Sequence, residues 1–339
     1  MARDSTAWQT ALRKTALAAV VALSIPPAVT GIPSAAAQEW KPDKAVELIA
    51  TNAPGGGSDR IGRIMIKILQ EGRYIPTSIN LVNKPGGGTS IAYNYINLNP
   101  GNGHFLVLAS RSLITNHIAG HGPSYTEFTP VVRLFEEYIA VTVKPVSPIR
   151  SGKDLISFMR KDPAALSFGI ATSLGAPNHS GVAAAFKVAG IDLKRMKNVI
   201  FPSGGAASTA LLGGHVDVVP ISVAFAASLL RNNQVRLIAV TSPERLPGLL
   251  KDVPTWKEQG VDAVVAQWRI LVGPKGMAAG QIAYWESVMR RMMEADDWKN
   301  ELETNFWNAN FQGVVENRRF LARDHEDAKA FLTELGLAK

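Results

Sequence analysis

Residues 46–69, VELIATNAPGGGSDRIGRIMIKIL, carry the pattern from which the fold is read. The run 46–51 (VELIAT) is short, apolar and β-favouring. Gly55, Gly56 and Gly57 then turn the chain. From about Ser58, the residues Ile61, Ile64, Met65, Ile68 and Leu69 recur at helical spacing and form one apolar stripe. A strand, a glycine turn and an amphipathic helix in that order begin a βαβ unit.

The pattern recurs outward from there. Residues 79–83 predict a second strand, and Pro85, Gly86, Gly87 and Gly88 turn it into a helix near Thr89. Strands are expected at 105–110 and over the β-branched run 138–143. A second set follows, with helices at 153–160, 176–188 and 206–212. Its strands are at 166–171, 198–201, 216–221 and 235–241. From about Ile282 the chain reads as mainly helical, with Trp285, Met289 and Met292 on one face. Alternating strands and helices predict an α/β protein with largely parallel sheets. In such sheets the ligand crevice lies beyond the carboxyl ends of the strands, so the residues just after each strand decide function.

Composition narrows the class. A chain of 339 residues has room for two domains. Apolar residues at 46% supply a core, and charged residues at 19% are too few for a disordered chain. With no cysteine, disulfides, zinc-thiolate sites and thiol nucleophiles are excluded. Residues 1–37 read as a secretory leader. Arg3, Arg13 and Lys14 precede the apolar stretch 15–25 (TALAAVVALSI), which is too short to span a bilayer. Ala35, Ala36 and Ala37 then form a small-residue cleavage site, with cleavage expected after Ala37. The net charge is +8, of which the leader holds +2, leaving +6 spread without a basic cluster. Nucleic acid is therefore not the expected partner.

The first loop after a strand, Ala53, Pro54, Gly55, Gly56, Gly57 and Ser58, can aim backbone N–H groups at one spot. The helix that follows adds its unpaired N–H groups and the positive end of its dipole. Together they suit an anion without needing a charged side chain. Asp59 reads as structural, because a carboxylate would repel such a ligand. The loop lacks the Lys of a Walker A motif, and Arg60 stands where a dinucleotide loop needs its third glycine. Similar turns of small, hydroxyl-bearing residues recur at Pro85–Ser90, at Ser110, Arg111 and Ser112, and at Thr172, Ser173, Leu174 and Gly175. Two more occur at Ser203, Gly204 and Gly205 and at Ser222. The series describes a polar cleft built to bind.

At these residues the chain resembles the substrate-binding proteins of tripartite tricarboxylate transporters, the Bug family. The matching segments are Ala53 to Asp59 (APGGGSD), Asn83 to Gly88 (NKPGGG) and Leu211 to Asp217 (LLGGHVD). Ala239 to Ser242 (AVTS) and Asp252 to Thr255 (DVPT), with Glu258 and Gly260, complete the set in order over nearly all of the chain after the leader. The resemblance implies a two-domain, Venus-flytrap periplasmic-binding-protein architecture of type II-like form, closing on one ligand about two hinge strands. The expected limits are 38–140 and 239–339 for domain 1 and 141–238 for domain 2, with hinges near 140–144 and 237–241. It also implies a monomeric periplasmic receptor that passes a small carboxylate to membrane transporter subunits, with no cofactor. By position, the ligand contacts would be Ala53–Ser58, Ser110–Ser112, Thr172–Gly175, His179, Ser203–Gly205 and Ser222. Arg111, Ser203 and Arg269 depart from the family pattern, which leaves the choice of carboxylate open: di- or tricarboxylate, acidic amino acid or aromatic acid.

A secreted serine hydrolase is the alternative. Residues 171–175 (ATSLG) mimic a nucleophile elbow around Ser173, and Asp217 or Asp262 followed by His325 completes the chain order. His117 and His121 have helical ligand spacing, but Gly120, Gly122 and Pro123 break the helix, so both are expected in loops and no metal site is expected.

Overall fold

The computed structural model describes residues 39–339, and the expected leader and its cleavage site lie outside them. Glu39–Lys339 forms one compact unit. Its first strands and helices are β1 (Val46–Ala50), α1 (Gly57–Glu71), β2 (Ile79–Asn83), α2 (Ser90–Asn97), β3 (Phe105–Ala109) and α3 (Ser112–Ile118). The middle of the chain forms β4 (Phe128–Val143), α4 (Gly152–Lys161), β5 (Ser167–Ala171), α5 (Pro177–Val188), β6 (Lys197–Phe201), α6 (Gly204–Leu212), β7 (Val218–Ser222), α7 (Val223–Arg231) and β8 (Arg236–Val240). The last part forms β9 (Ala266–Pro274), α8 (Ala279–Glu294), α9 (Asp296–Asn305), β10 (Asn308–Gln312) and α10 (Val314–Glu334).

The strand order is β2-β1-β3-β9-β4-β7-β5-β6, with β10 and β8 also pairing with β4. β1 runs parallel to β2 and β3, and β5 runs parallel to β6 and β7. The centre differs from the parallel expectation, because β4 and β9 run antiparallel to their neighbours. β4 is the spine, sixteen residues long where only its last six were expected. Pro130, Arg133, Glu136 and Glu137 hide the first part from a hydrophobicity reading. Through Tyr138 it pairs with β9, and from Ile139 it pairs with β7. The chain thus passes from one half of the sheet to the other within a single strand.

Each half is a sheet with helices on both faces. In the first half, Val46 and Leu48 face Met65, Trp285 and Met292 of α1 and α8, while Ile49 faces Tyr93 and Leu332 of α2 and α10. That alternation is the period of a strand buried on both sides. In the second half, Phe168 and Ile170 pack with Val182 and Phe186 of α5, and Val219 and Ile221 pack with Ala207 and Leu211 of α6. Leu246, Leu250 and Val253, with Trp256, Val261 and Ala263, belong to these second-half clusters. The stretch 239–265 therefore packs against the second half. The chain returns only where β9 begins.

Candidate functional site

A cleft between the halves is lined from both sides. Gly55, Gly56, Gly57, Ser58, Ser110 and Ser112 come from the first half, and Thr172, Gly204, Gly205 and Ser222 from the second. These are expected contacts, and the fold brings them to one cavity. The other expected contacts stand apart from the lining. Ala53 and Pro54 form the outer turn of the glycine loop, and Ser203 caps α6, accepting the Ala206 N–H at 3.2 Å. Arg111 pairs with Asp324 at 3.2 Å. Ser173 donates to Asn116 at 3.4 Å, with Leu174 and Gly175 beyond it. His179 is buried and accepts the Gly175 N–H through Nδ1 at 3.0 Å, so it shapes that loop from behind. Burial lowers the His179 pKa from 6.5 to about 4.

The glycine loop is held in shape by side chains the ligand need not touch. Asp59 accepts hydrogen bonds at 3.0 Å from the Gly55 N–H, from Arg63 and from Asn83. Burial raises its pKa, but these bonds outweigh burial and hold the carboxyl below its ordinary range. Asn52 Oδ1 accepts the Ser58 N–H at 3.1 Å and the Ser58 hydroxyl at 2.8 Å. Thr89 and Thr172 both line the cavity with left-handed backbones, at φ 93° and 67°. For a β-branched residue that conformation is strained, and such strain gathers at ligand sites.

The first residues of four helices of at least nine residues line the cavity. They are Gly57 of α1, Pro177 and Asn178 of α5, Gly204 and Gly205 of α6, and Ala224 of α7. The helix dipoles, with the N–H groups of Gly57, Asn178, Gly204, Gly205 and Ala224, make the space favourable to negative charge.

The floor was not expected. Glu137 of β4 lies opposite Gln267 of β9 in register, and Arg269 stands two residues along on the same face. Arg269 Nη2 donates to Glu137 Oε1 at 2.5 Å. Burial pushes the Glu137 carboxyl above its ordinary range, opposed mainly by the Arg269 charge. Arg60, Trp307 and Phe225 also line the cavity. Arg269 is legible in the sequence only as a departure from the family pattern, and strand alternation over 266–274 is the signal that would set it beside Gln267.

The hydrolase arrangement does not assemble. A loop of five residues separates β5 from α5, so Ser173 is not on a sharp elbow. Asp217 accepts from Ser167 at 2.7 Å, at the opposite end of β5, and His325 pairs with Glu326 on α10. His117 falls in the last turn of α3 rather than in a loop, and its Nδ1 meets the Gly122 carbonyl at 3.3 Å. Among the described residues, no group of three His, Cys, Asp or Glu side chains could hold a metal.

Comparison with known proteins agrees with this architecture. Protein BugT of Bordetella pertussis is 24% identical over 274 residues, covering 78% of this chain and 80% of that one. A structure of an R. palustris protein with adipate superposes with a TM-score of 0.80 at 22% identity, covering 88% of this chain and 99% of that one. MatC from Rhodopseudomonas palustris with bound malate gives 0.78 at 20% identity, covering 86% and 99%. The family model described as the tripartite tricarboxylate transporter family receptor matches residues 71–337. That match spans most of the chain, which therefore belongs to the tripartite tricarboxylate transporter receptor family.

Proposed function

We propose that the protein is a monomeric periplasmic receptor that captures a small carboxylate between its two halves and presents it to membrane transporter subunits. The observation that carries this reading is the convergence of four helix N-termini on one cavity. Structural neighbours solved with adipate and malate support the ligand class. The cavity measures about 80 Å³. The moving bodies are residues 39–138 with 266–339, and residues 139–265. The leader 1–37 directs export and is removed.

The test is a thermal-shift screen of mono-, di- and tricarboxylates, acidic amino acids and aromatic acids on protein unfolded and refolded to remove co-purified ligand. A ligand at 100 times its Kd adds about 2.7 kcal/mol of stability. A shift with at least one acid supports the reading, and a flat response across the panel contradicts it.

A further inference from the structure

The helix N-termini that line the cavity favour negative charge and do not by themselves distinguish one carboxylate from another. The floor of the cleft is chemically different. Gln267 is 2% exposed, and both its Nε2 and its Oε1 lack a hydrogen-bond partner. Both amide atoms are free, so either orientation of the amide leaves a donor and an acceptor unspent. Arg269 is 8% exposed and its Nε–H is also unpartnered, while its Nη2 is committed to Glu137. Glu137 is 2% exposed. A buried amide kept for the strands alone would bond to backbone, as Gln259 does through its donation to the Ile238 carbonyl at 3.1 Å. Gln267 instead lines the cavity with its capacity unspent.

The position adds to the chemistry. A Cβ on Gly57 would lie 3.8 Å from Arg269 Nη2, so the guanidinium sits beside the start of α1. The floor groups therefore abut the loop that takes the carboxylate. They also sit on the strands where the chain crosses between halves, Glu137 two residues before Ile139 and Gln267 two after Val265. Because Glu137 offsets Arg269, the floor is not a bare cationic site. Its free capacity is a mixture of donors, Arg269 Nε–H and the Gln267 amide N–H groups, with acceptors, Gln267 Oε1 and the Glu137 carboxyl. An unsubstituted hydrocarbon chain laid on it leaves the Gln267 amide and the Arg269 Nε–H unpaired, which is costly in a dry site. A second plain carboxylate answers the donors and faces the acceptors with like charge.

We propose that Gln267, Glu137 and Arg269 form a specificity subsite that selects carboxylates bearing a hydrogen-bond-donating substituent, a hydroxyl or an ammonium group, over the same acids without it. This rests on the carboxylate-receptor reading above and refines it. The substituent donates to Gln267 Oε1 or Glu137, while its neighbouring oxygen accepts from Arg269 Nε–H and the Gln267 amide. An ammonium group gains more from Glu137 than a hydroxyl does, because its charge opposes that of the carboxylate.

The test is calorimetric titration of the refolded protein with matched sets of acids from three to six carbons. Each set holds the plain acid, its 2-hydroxy form and its 2-amino form, in both enantiomers. The expected result is that, in the sets that bind, a substituted member binds at least about tenfold more tightly than the plain acid. Gln267→Met should bring that ratio towards one. A Gln267 that only supports the strands would weaken both members alike and leave the ratio intact, and an ordered water serving Gln267 would give a ratio near one in the unaltered protein. Either result overturns the subsite. Glu137→Gln should cost the amino member more than the hydroxy member. It serves as the second variant if Gln267→Met does not fold, and equal losses on it also count against the proposal. Binding without discrimination contradicts the subsite alone, whereas no binding by any acid contradicts the carboxylate reading on which it rests.

Discussion

Thr241 and Ile139 are tied by two reciprocal hydrogen bonds. The Ile139 N–H donates to Thr241 Oγ1 and the Thr241 N–H donates to the Ile139 carbonyl, each at 2.9 Å. The same hydroxyl donates to the Val265 carbonyl at 2.6 Å, and the Val265 N–H returns a bond to the Thr241 carbonyl at 3.1 Å. One fully buried residue thus fastens both strands on which the chain crosses between the halves.

Thr241→Val keeps the shape of this side chain and removes its hydroxyl, leaving the Ile139 N–H and the Val265 carbonyl unsatisfied. Each buried unmet group costs about 1–3 kcal/mol, so a loss of about 2–4 kcal/mol is expected in chemical denaturation. Thr241→Ser, which keeps the hydroxyl, should lose less. Equal losses in the two variants would show that the hydrogen bonds at the crossing carry little.

Gly57→Val tests the glycine loop with the least disturbance of the fold. A Cβ at Gly56 would meet Asn52 Cβ at 2.5 Å, so substitution there distorts the loop itself. At Gly57 the nearest atom is Arg269 Nη2 at 3.8 Å, and the added bulk enters the cavity. Carboxylate affinity should fall at least about tenfold, equivalent to about 1.4 kcal/mol, with the unfolding temperature of the ligand-free protein little changed. Unchanged affinity would remove this loop from the site.

His179 gives the protein an acid limb. Its folded pKa is lowered from 6.5 to about 4 by burial, so between those values the unfolded chain binds the proton and the folded chain does not. Its contribution is fully present above the unfolded pKa and is lost as pH falls through the folded one. Between pH 7.5 and 4.5 the loss should be about 2–3 kcal/mol. His179→Gln, measured by urea unfolding at both pH values, should flatten the difference by that amount. An unchanged pH dependence would show that the imidazole is not buried in its neutral form.

The strand–glycine–helix units were legible because a turn that needs glycine and a helix that needs an apolar stripe leave independent marks. The segments 46–71, 79–97 and 167–188 show both. The loops they deliver gave the rim of the site. The floor was not legible. In β9, Gln267 and Arg269 occupy the cleft-facing positions, so the alternation is broken by the residues that serve the ligand. Glu137 was hidden likewise, beside Glu136 and after Arg133 in what reads as a polar loop. His179 was placed near the cleft by counting from the strand, but the intervening loop turns its ring inward behind Gly175. Function costs local regularity, and that is where a pattern reading fails.

The proposed function requires the two halves to close on one carboxylate. Their lips already meet here, since the Ser173 hydroxyl donates to Asn116 at 3.4 Å and Lys187 pairs with Glu334 at 2.6 Å. Only a closed form lets loops of both halves touch one ligand, and only such differential contact shifts the equilibrium towards closure. Small-angle scattering on refolded, ligand-free protein, without and then with a saturating carboxylate, tests this most directly. The free protein is expected to show a larger radius of gyration and to contract on binding to the value of this closed conformation. A radius that a saturating ligand leaves unchanged, in protein shown to be empty and open at the start, would contradict it.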